Sequence, residues 1–306
     1  MKIVALAGGV GGAKLVDGLA QILPFEDLTV IVNTGDDFEH IGLYISPDLD
    51  TVCYTLAGIV NPETGWGRLD DTFHVLENLK QLNVPDWFRL GDRDLATHIE
   101  RSRRLREGQP LSQITREFCE AWGVRYRIFP MSDQPVRTLV DTSEFGELTF
   151  QEYFVHLKCA PKVKGFRFSG IAAALPAPGV IEAISHADAI LLCPSNPWVS
   201  IDPILALTGI RSAISAKIII AVSPILAGRA VKGPAAKMYT ELGINPSALA
   251  VAQHYDNLLS GFVLDNMDIS QSNEIRIKTL VTDILMINKD GRRRLAQDML
   301  NFIHKL

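Results

Sequence analysis

The sequence has few cysteines and no long apolar run, and each absence excludes a class of protein. Its four cysteines are Cys53, Cys119, Cys159 and Cys193. None of them forms a C-x-x-C pair, so neither a disulfide scaffold nor a zinc site is predicted. No segment approaches the ~18 apolar residues of a membrane-spanning helix, and the apolar stretch after Lys2 breaks at Gly8, too early for a signal peptide. We therefore expect a cytoplasmic protein that has reduced thiols and does not contact the membrane.

Basic charge is also scarce. The chain has 30 Lys and Arg against 35 Asp and Glu, a net charge of -5, which argues against a nucleic-acid partner because such proteins need a basic surface. Internal repeats and low-complexity tracts are absent. With 306 residues, 47% of them hydrophobic, the chain is long for one domain and short for two, so we expect one large core with an insertion.

Short apolar strands alternate with helical stretches along most of the chain. The predicted strands cover residues 2–6, 28–33, 125–129, 189–193, 217–222 and 261–265. Such alternation predicts an α/β fold, a Rossmann-like three-layer sandwich with a mostly parallel sheet, formed by residues 1–306 as a single domain. Two stretches interrupt it. Residues 61–122 contain only helical patterns and form a predicted helical insertion, and residues 136–150 alternate around Gly146 as a small antiparallel hairpin.

The segment AGGVGGAKL (7–15) follows the first strand and begins a helix. Glycines at this point let the backbone approach a phosphate, whose charge the helix N-terminus favours. The segment is not a P-loop, and Lys14 replaces the third glycine of a dinucleotide-binding motif. We predict that a phosphate contacts Gly8, Gly9, Gly11, Gly12 and Lys14. The alternative is a glycine-rich turn that binds nothing.

Polar loops follow three further strands. The first, NTGDD (33–37), includes Asn33, and the other two are CPSNPWVS (193–200) and VSPILAGRAVKGPAAK (222–237). In an open α/β sheet the ligand binds at the carboxyl ends of the strands, where these loops lie. We therefore expect polar and glycine residues of the loops to converge on a phosphate-rich ligand; they are Asn33, Ser195, Asn196, Gly228, Lys232, Gly233 and Lys237. A simple polar loop remains the alternative for NTGDD.

The segment SPDLD (46–50) contains two carboxylates, Asp48 and Asp50. Ser46 suits the N-cap of a helix and Pro47 its first position, and acids in the first turn complement the helix dipole. On this reading Asp50→Asn would cost only ~0.3–1 kcal/mol of stability. Spacing alone does not distinguish this helix start from a functional carboxylate.

The segment WFRLGDRDLATH (87–98) places Trp87 and Phe88 beside Arg89. One interpretation is a hydrophobic anchor followed by a capped helix, with Asp92 or Asp94 as the cap. The other is a platform on which a flat heterocycle stacks while the guanidinium of Arg89 orients it.

Taken together these segments resemble the 2-phospho-L-lactate transferases, enzymes that build the deazaflavin coenzyme F-420. The resemblance is carried by GGVGGAKL, NTGDD, SPDLDTV, GWG (65–67), LGDRDLATH, PMSD (130–133), SNPWVSIDPIL and VSPILAGRAVKGPAAKM. It extends from Met1 to about Tyr255 and weakens in the last fifty residues. SPDLDTV and LGDRDLATH are its most specific parts.

The resemblance implies a reaction. The terminal ribityl hydroxyl of the deazaflavin Fo attacks a guanosine-diphosphate-linked donor that carries a three-carbon unit, GMP leaves, and a phosphodiester forms. Such phosphoryl transfer relies on positioning and on Mg²⁺. By resemblance, Asp50 and Arg89 bind Fo, and Asp50 acts in catalysis and toward the metal. The segment 7–15, called the glycine loop below, and the later strand-end loops bind the donor. The resemblance also implies a homodimer.

Two other functions remain open at this stage. Relatives that share the glycine loop include non-catalytic regulators that bind a nucleotide sugar. A dinucleotide-dependent oxidoreductase is disfavoured by the missing third glycine. The sequence does not distinguish transfer of phospholactate from transfer of phosphoenolpyruvate or phosphoglycerate, which differ by a few atoms.

Overall fold

A central sheet of seven parallel strands organises the chain, for which the computed structural model describes residues 1–306. Its strands are β1 (Ile3–Ala7), β2 (Leu28–Val32), β3 (Arg127–Pro130), β4 (Ala189–Leu192), β5 (Ile218–Val222), β6 (Gly261–Asp265) and β7 (Lys278–Thr282). In space they follow the order β7-β6-β5-β4-β1-β2-β3, and every neighbouring pair is parallel. This is a doubly wound sheet whose direction of winding reverses between β1 and β4.

Helices cover both faces of the sheet. They are α1 (Gly9–Ala20), α2 (Pro47–Leu56), α3 (His74–Gln81), α4 (Asp92–Arg106), α5 (Leu111–Ala121), α6 (Val180–His186), α7 (Asp202–Ala206), α8 (Ile210–Ile214), α9 (Ala235–Glu241), α10 (Ala248–His254) and α11 (Lys289–Ile303). Alternate strand residues face opposite sides: Ile3 and Ala5 join a core with α1, α2, α5 and α11, whereas Val4 and Leu6 join one with α6 to α10. The predicted three-layer α/β sandwich is confirmed.

Residues 61–122 contain α3, α4 and α5, and reciprocal helix caps join α3 to α4. The carboxylate of Asp71 accepts hydrogen bonds from the backbone N–H groups of Arg93 and Asp94 at the start of α4. In return the carboxylate of Asp92 accepts from the N–H groups of His74 and Val75 at the start of α3. Since α3 buries none of its residues, these caps are its main fixed connection to α4.

Short antiparallel pairs lie outside the main sheet: Phe38–His40 with Leu43–Ile45, and Ile225–Leu226 with Arg229–Ala230. The predicted hairpin forms from Arg137–Thr142 and Gly146–Thr149, but a third strand, Val163–Ser169, pairs with it. That strand and β7 are not among the predicted strands. Both are only partly buried, so their sequences lack a clear apolar pattern.

The remaining elements are two π-helical turns, Glu152–His156 and Pro197–Ile201, and the 3-10 segment Asn266–Asn273. None of the helices combines the length and the hydropathy required to cross a lipid bilayer.

Candidate active site

The glycine loop and the loop after β4 meet at the point where the winding of the sheet reverses. The backbone N–H of Gly8 donates to Ser195 Oγ at 3.1 Å, and that hydroxyl donates to the carbonyl of Gly8 at 2.7 Å. A Cβ atom on Gly11 would lie 2.3 Å from the carbonyl oxygen of Pro194. Ser195 thus ties the two loops together, and close packing requires glycine at position 11 whether or not a ligand binds.

Two lysines bring positive charge to this loop. Burial and the nearby Arg292 lower the pKa of Lys14, while burial and Lys14 itself lower the pKa of Lys232. The Lys232 ammonium donates to the carbonyl of Thr64, just before the GWG turn. Gly65 of that turn packs against Val10 of the glycine loop. Burial and, to a smaller extent, a neighbouring cation disfavour the charged form of each lysine, so an anion near both ammonium groups would stabilise them.

A cluster of buried acids lies behind the glycine loop, organised by Asn33 at the end of β2. The Asn33 amide donates to Asp36 Oδ1 at 2.9 Å and to Asp48 Oδ2 at 3.0 Å. Burial raises the pKa of Asp48 to about 6 and that of Asp37 to about 7. The pKa of Asp36 is also raised, first by burial and then by the charges of Asp48 and Asp37. Burial therefore disfavours the charged forms of all three carboxylates.

Asp37 is the least satisfied member of the cluster. Its Oδ2 atom accepts a hydrogen bond from Ser46 Oγ at 2.9 Å, whereas its buried Oδ1 atom has no hydrogen-bond partner. Ser46 occupies the N-cap position of α2 and Pro47 the first turn, as the sequence suggests, but the Ser46 side chain does not cap the helix. It orients Asp37 instead.

Asp50 forms a buried ion pair with Arg101 on α4, which sequence reasoning missed. The guanidinium donates to both carboxylate oxygens, at 3.0 Å from Nη1 to Oδ2 and by a second contact from Nη2 to Oδ1. The two side chains are 8% and 3% exposed, and His98 Nδ1 lies 3.8 Å from Asp50. One signal was available: Asp94, His98 and Arg101 are spaced four and three apart, so they share one face of α4.

Arg89 lies at the surface just before α4, with its guanidinium 4.4 Å from the centre of the Phe73 ring. The neighbouring aromatic residues are not a free platform. Trp87 stacks on His156 at 5.1 Å, and Phe88 packs edge-on against Phe38 at 4.8 Å. Arg89 is therefore available to a ligand, whereas one face of Trp87 is already covered.

The other predicted donor residues have structural partners as well. The Asn196 side chain accepts a hydrogen bond from the N–H of Trp198 and so caps the π-helical turn. Gly228 forms the tight turn between two short strands with φ of 74°. Lys237 lies apart from the glycine loop and pairs with Glu241 at 2.5 Å. The roles of Asn196 and Gly228 toward a ligand stay predictions.

Comparison with known proteins now identifies the family. The model of a family described as 2-phospho-L-lactate transferase CofD matches residues 3–300. The chain belongs to this family. The match ends at residue 300 and so covers most of the last fifty residues, where the resemblance read from the sequence weakens. It makes the chain a transferase of the kind that acts in coenzyme F-420 biosynthesis.

Curated relatives of this transferase match along almost their whole length. A phosphoenolpyruvate transferase of Streptomyces coelicolor is 43% identical, covering 100% of this chain and 99% of the relative. A phosphoenolpyruvate transferase of Kitasatospora aureofaciens is 47% identical, with 98% and 97% covered. Among solved structures, a UPF0052 family member from Bacillus halodurans superposes with a TM-score of 0.64 at 14% identity over 98% of both chains, which shows a shared fold.

Proposed function

We propose that this transferase moves a phosphorylated three-carbon unit from a guanosine-diphosphate-linked donor to the terminal ribityl hydroxyl of the deazaflavin Fo, releasing GMP. Among the three candidate units we favour phosphoenolpyruvate over phospholactate and phosphoglycerate. The support is that relatives 43% and 44% identical over the full chain are named phosphoenolpyruvate transferases. The same proposal makes the enzyme a cytoplasmic homodimer. Light scattering of the purified protein would test whether it is a dimer.

The observation that carries the proposal is the opposition of charges at the carboxyl ends of β1, β2 and β4. The N-terminus of α1 lies there with the two lysines, Lys14 and Lys232, whose pKa values are lowered by burial and by neighbouring cations. The buried acids Asp36, Asp37 and Asp48 lie in the same region, with Asp48 against Gly8 and Gly9 of the glycine loop. A diphosphate donor accompanied by a divalent cation carries charges of both signs and complements both groups.

The acid cluster is suited to Mg²⁺. The Asp37 Oδ1 atom has no hydrogen-bond partner, and burial raises the pKa values of Asp36, Asp37 and Asp48, so a cation bound there would stabilise their charged forms. No three His, Cys, Asp or Glu side chains form a complete metal-binding group, so the proposed site needs substrate phosphates as ligands besides one or two carboxylates. When bound, Mg²⁺ would draw charge from the phosphates of the donor.

Asp37 is the strongest candidate ligand for the metal, with Asp36 beside it. We keep Asp50 as a proposed acceptor and metal residue, but Arg101 already binds both of its oxygens. Asp50 can therefore accept a further contact only through the remaining lone pairs of its carboxylate. Its proposed role is to receive the hydrogen bond of the attacking hydroxyl while Arg89 binds the ring system of Fo.

The test is incubation of the purified enzyme with Fo, Mg²⁺ and each of the three guanylylated donors in turn, with products read by mass spectrometry. We expect GMP and the phosphoenolpyruvyl product, with slower conversion of the other two donors. A non-catalytic regulator would bind a guanylylated donor without releasing GMP. Absence of GMP with all three donors would reject the proposed reaction.

A further inference from the structure

A polar seam joins α2 to α4. The seam consists of Asp50 and Tyr54 on α2 and Asp94, His98 and Arg101 on α4. Arg101 binds both oxygens of Asp50. One turn later on α2 and two turns earlier on α4, the Tyr54 hydroxyl donates to Asp94 Oδ1 at 2.7 Å. His98 lies between the two pairs, with Nδ1 at 3.3 Å from Arg101 Nη1 and Nε2 at 3.4 Å from Asp94 Oδ1.

We propose that Arg101 is a positioning residue for the acceptor half of the active site. Arg101 holds the Asp50 carboxylate in one orientation, and through the seam it fixes α4 relative to α2. Since Arg89 lies just before the start of α4, the seam also sets the distance between the two residues proposed to bind Fo. This inference rests on the proposed function, because it assigns Asp50 and Arg89 to the acceptor.

A purely stabilising role does not account for the seam well. A buried ion pair is often no more stabilising than apolar residues of similar volume, because both charges lose their hydration. The seam also leaves two buried donors or acceptors, Arg101 Nε and His98 Nε2, without hydrogen-bond partners. An apolar contact between α2 and α4 would avoid that cost, but it would not hold a carboxylate at a fixed angle. Orientation is what the forked guanidinium supplies.

Arg104 provides a matched control three residues along the same helix. It is buried as well, and its guanidinium lies 5.9 Å from the Phe118 ring, compared with 6.0 Å for Arg101. Its hydrogen-bond partners, however, are Gln109 and Glu117 rather than Asp50. Replacing either arginine by lysine keeps the charge and removes the fork.

The experiment compares Arg101→Lys with Arg104→Lys in steady-state assays that vary Fo and the donor separately. We expect Arg101→Lys to lower kcat and to raise the KM for Fo, each about tenfold. Together these changes lower kcat/KM about 10²-fold, the effect that a misplacement of about 1 Å can have. The KM for the donor should stay within about twofold of the wild-type value. Arg104→Lys should change all three constants less than about threefold. Partial unfolding would lower the apparent kcat of either variant without changing either KM.

Equal effects of the two substitutions, or a rise in the KM of the donor alone, would overturn the positioning role. If Arg101→Lys does not fold, Tyr54→Phe perturbs the seam more gently by removing the hydroxyl that donates to Asp94. It should raise the KM for Fo about threefold, because a single net hydrogen bond is worth roughly that much, and an unchanged KM would reject the inference. A wild-type enzyme that does not turn over Fo would instead reject the proposed function, and this inference with it.

Discussion

Replacing Asp50 by asparagine removes one charge from a buried pair. Asparagine keeps one acceptor oxygen, but its NH2 group would face a donor nitrogen of Arg101, where Asp50 now presents an acceptor. The guanidinium would remain buried without its counter-ion, and removing one partner of such a pair costs about 3–5 kcal/mol. This exceeds the ~0.3–1 kcal/mol that a helix-start role predicts. We expect a loss near 3 kcal/mol, because Asp37 also attracts Arg101.

That loss should be visible in thermal unfolding. For 306 residues, an unfolding entropy of about 2.1 cal/mol/K per residue gives roughly 0.64 kcal/mol/K for the chain. A loss of about 3 kcal/mol then lowers Tm by about 5 °C. A helix-start role alone predicts a decrease of only ~0.5–1.5 °C.

Turnover should fall as well, by at least ~10²-fold, if Asp50 receives the hydrogen bond of the attacking hydroxyl. The control is Asp48→Asn. Burial raises the pKa of Asp48 to about 6, so the site already tolerates the neutral, protonated form of this side chain. Asparagine is neutral too, and it can still accept the hydrogen bond from Asn33. Its Tm should change by less than about 2 °C, corresponding to roughly one net hydrogen bond, and its turnover should fall less than that of Asp50→Asn.

Both Tm and turnover are measured on the two variants side by side at saturating Fo and donor. A wild-type rate for Asp50→Asn would refute the catalytic assignment, whatever happens to stability. An unchanged Tm would refute the buried pair with Arg101. A double variant, Asp50→Asn with Arg101→Met, should be less destabilised than the two single changes combined, since neither charge is then left alone.

Three further predictions follow from the site. Arg89→Ala should weaken Fo binding roughly ten- to a hundredfold by removing a charge-assisted contact, and it should leave donor binding nearly unchanged. Fluorescence titration measures both affinities, and weaker binding of the donor alone would reverse the assignment of Arg89 to Fo. EDTA should abolish turnover reversibly and Mn²⁺ should partly replace Mg²⁺, whereas full activity in metal-free buffer would exclude the metal. The pKa values of Asp37 and Asp48 are raised to about 7 and about 6 from 3.8. Between 3.8 and these raised values the folded state therefore binds more protons than the unfolded state. The stability of the metal-free protein should fall as pH rises from about 5 to 7, by up to ~1.4 kcal/mol per pH unit for each group. Mg²⁺ should then raise Tm more at about pH 7.5 than at about pH 5.5, and a pH-independent gain would contradict the acid cluster as its site.

The sequence by itself determined the fold class and the edge of the sheet at which the candidate site lies. Runs such as Ile3–Ala7 and Leu28–Val32 are buried at every residue, and a strand buried on both faces is almost continuously apolar. Glycines directly after such a strand and before a helix also indicate, from the local sequence alone, a tight turn of the backbone at that edge of the sheet. Where the pattern weakens, as in the half-buried edge strand Lys278–Thr282, the sequence signal fails.

Only the tertiary structure decided which groups compensate the charge of each carboxylate. Asp50 and Arg101 are 51 positions apart, and no local periodicity connects residues on two different helices. Asp48 and Asp50 are equivalent in the sequence, two acids in one helical turn. In the fold one accepts a hydrogen bond from Asn33 beside the glycine loop and the other pairs with α4. Their properties differ because the energy of a buried charge depends on which groups surround it, and the packing of distant segments sets those surroundings.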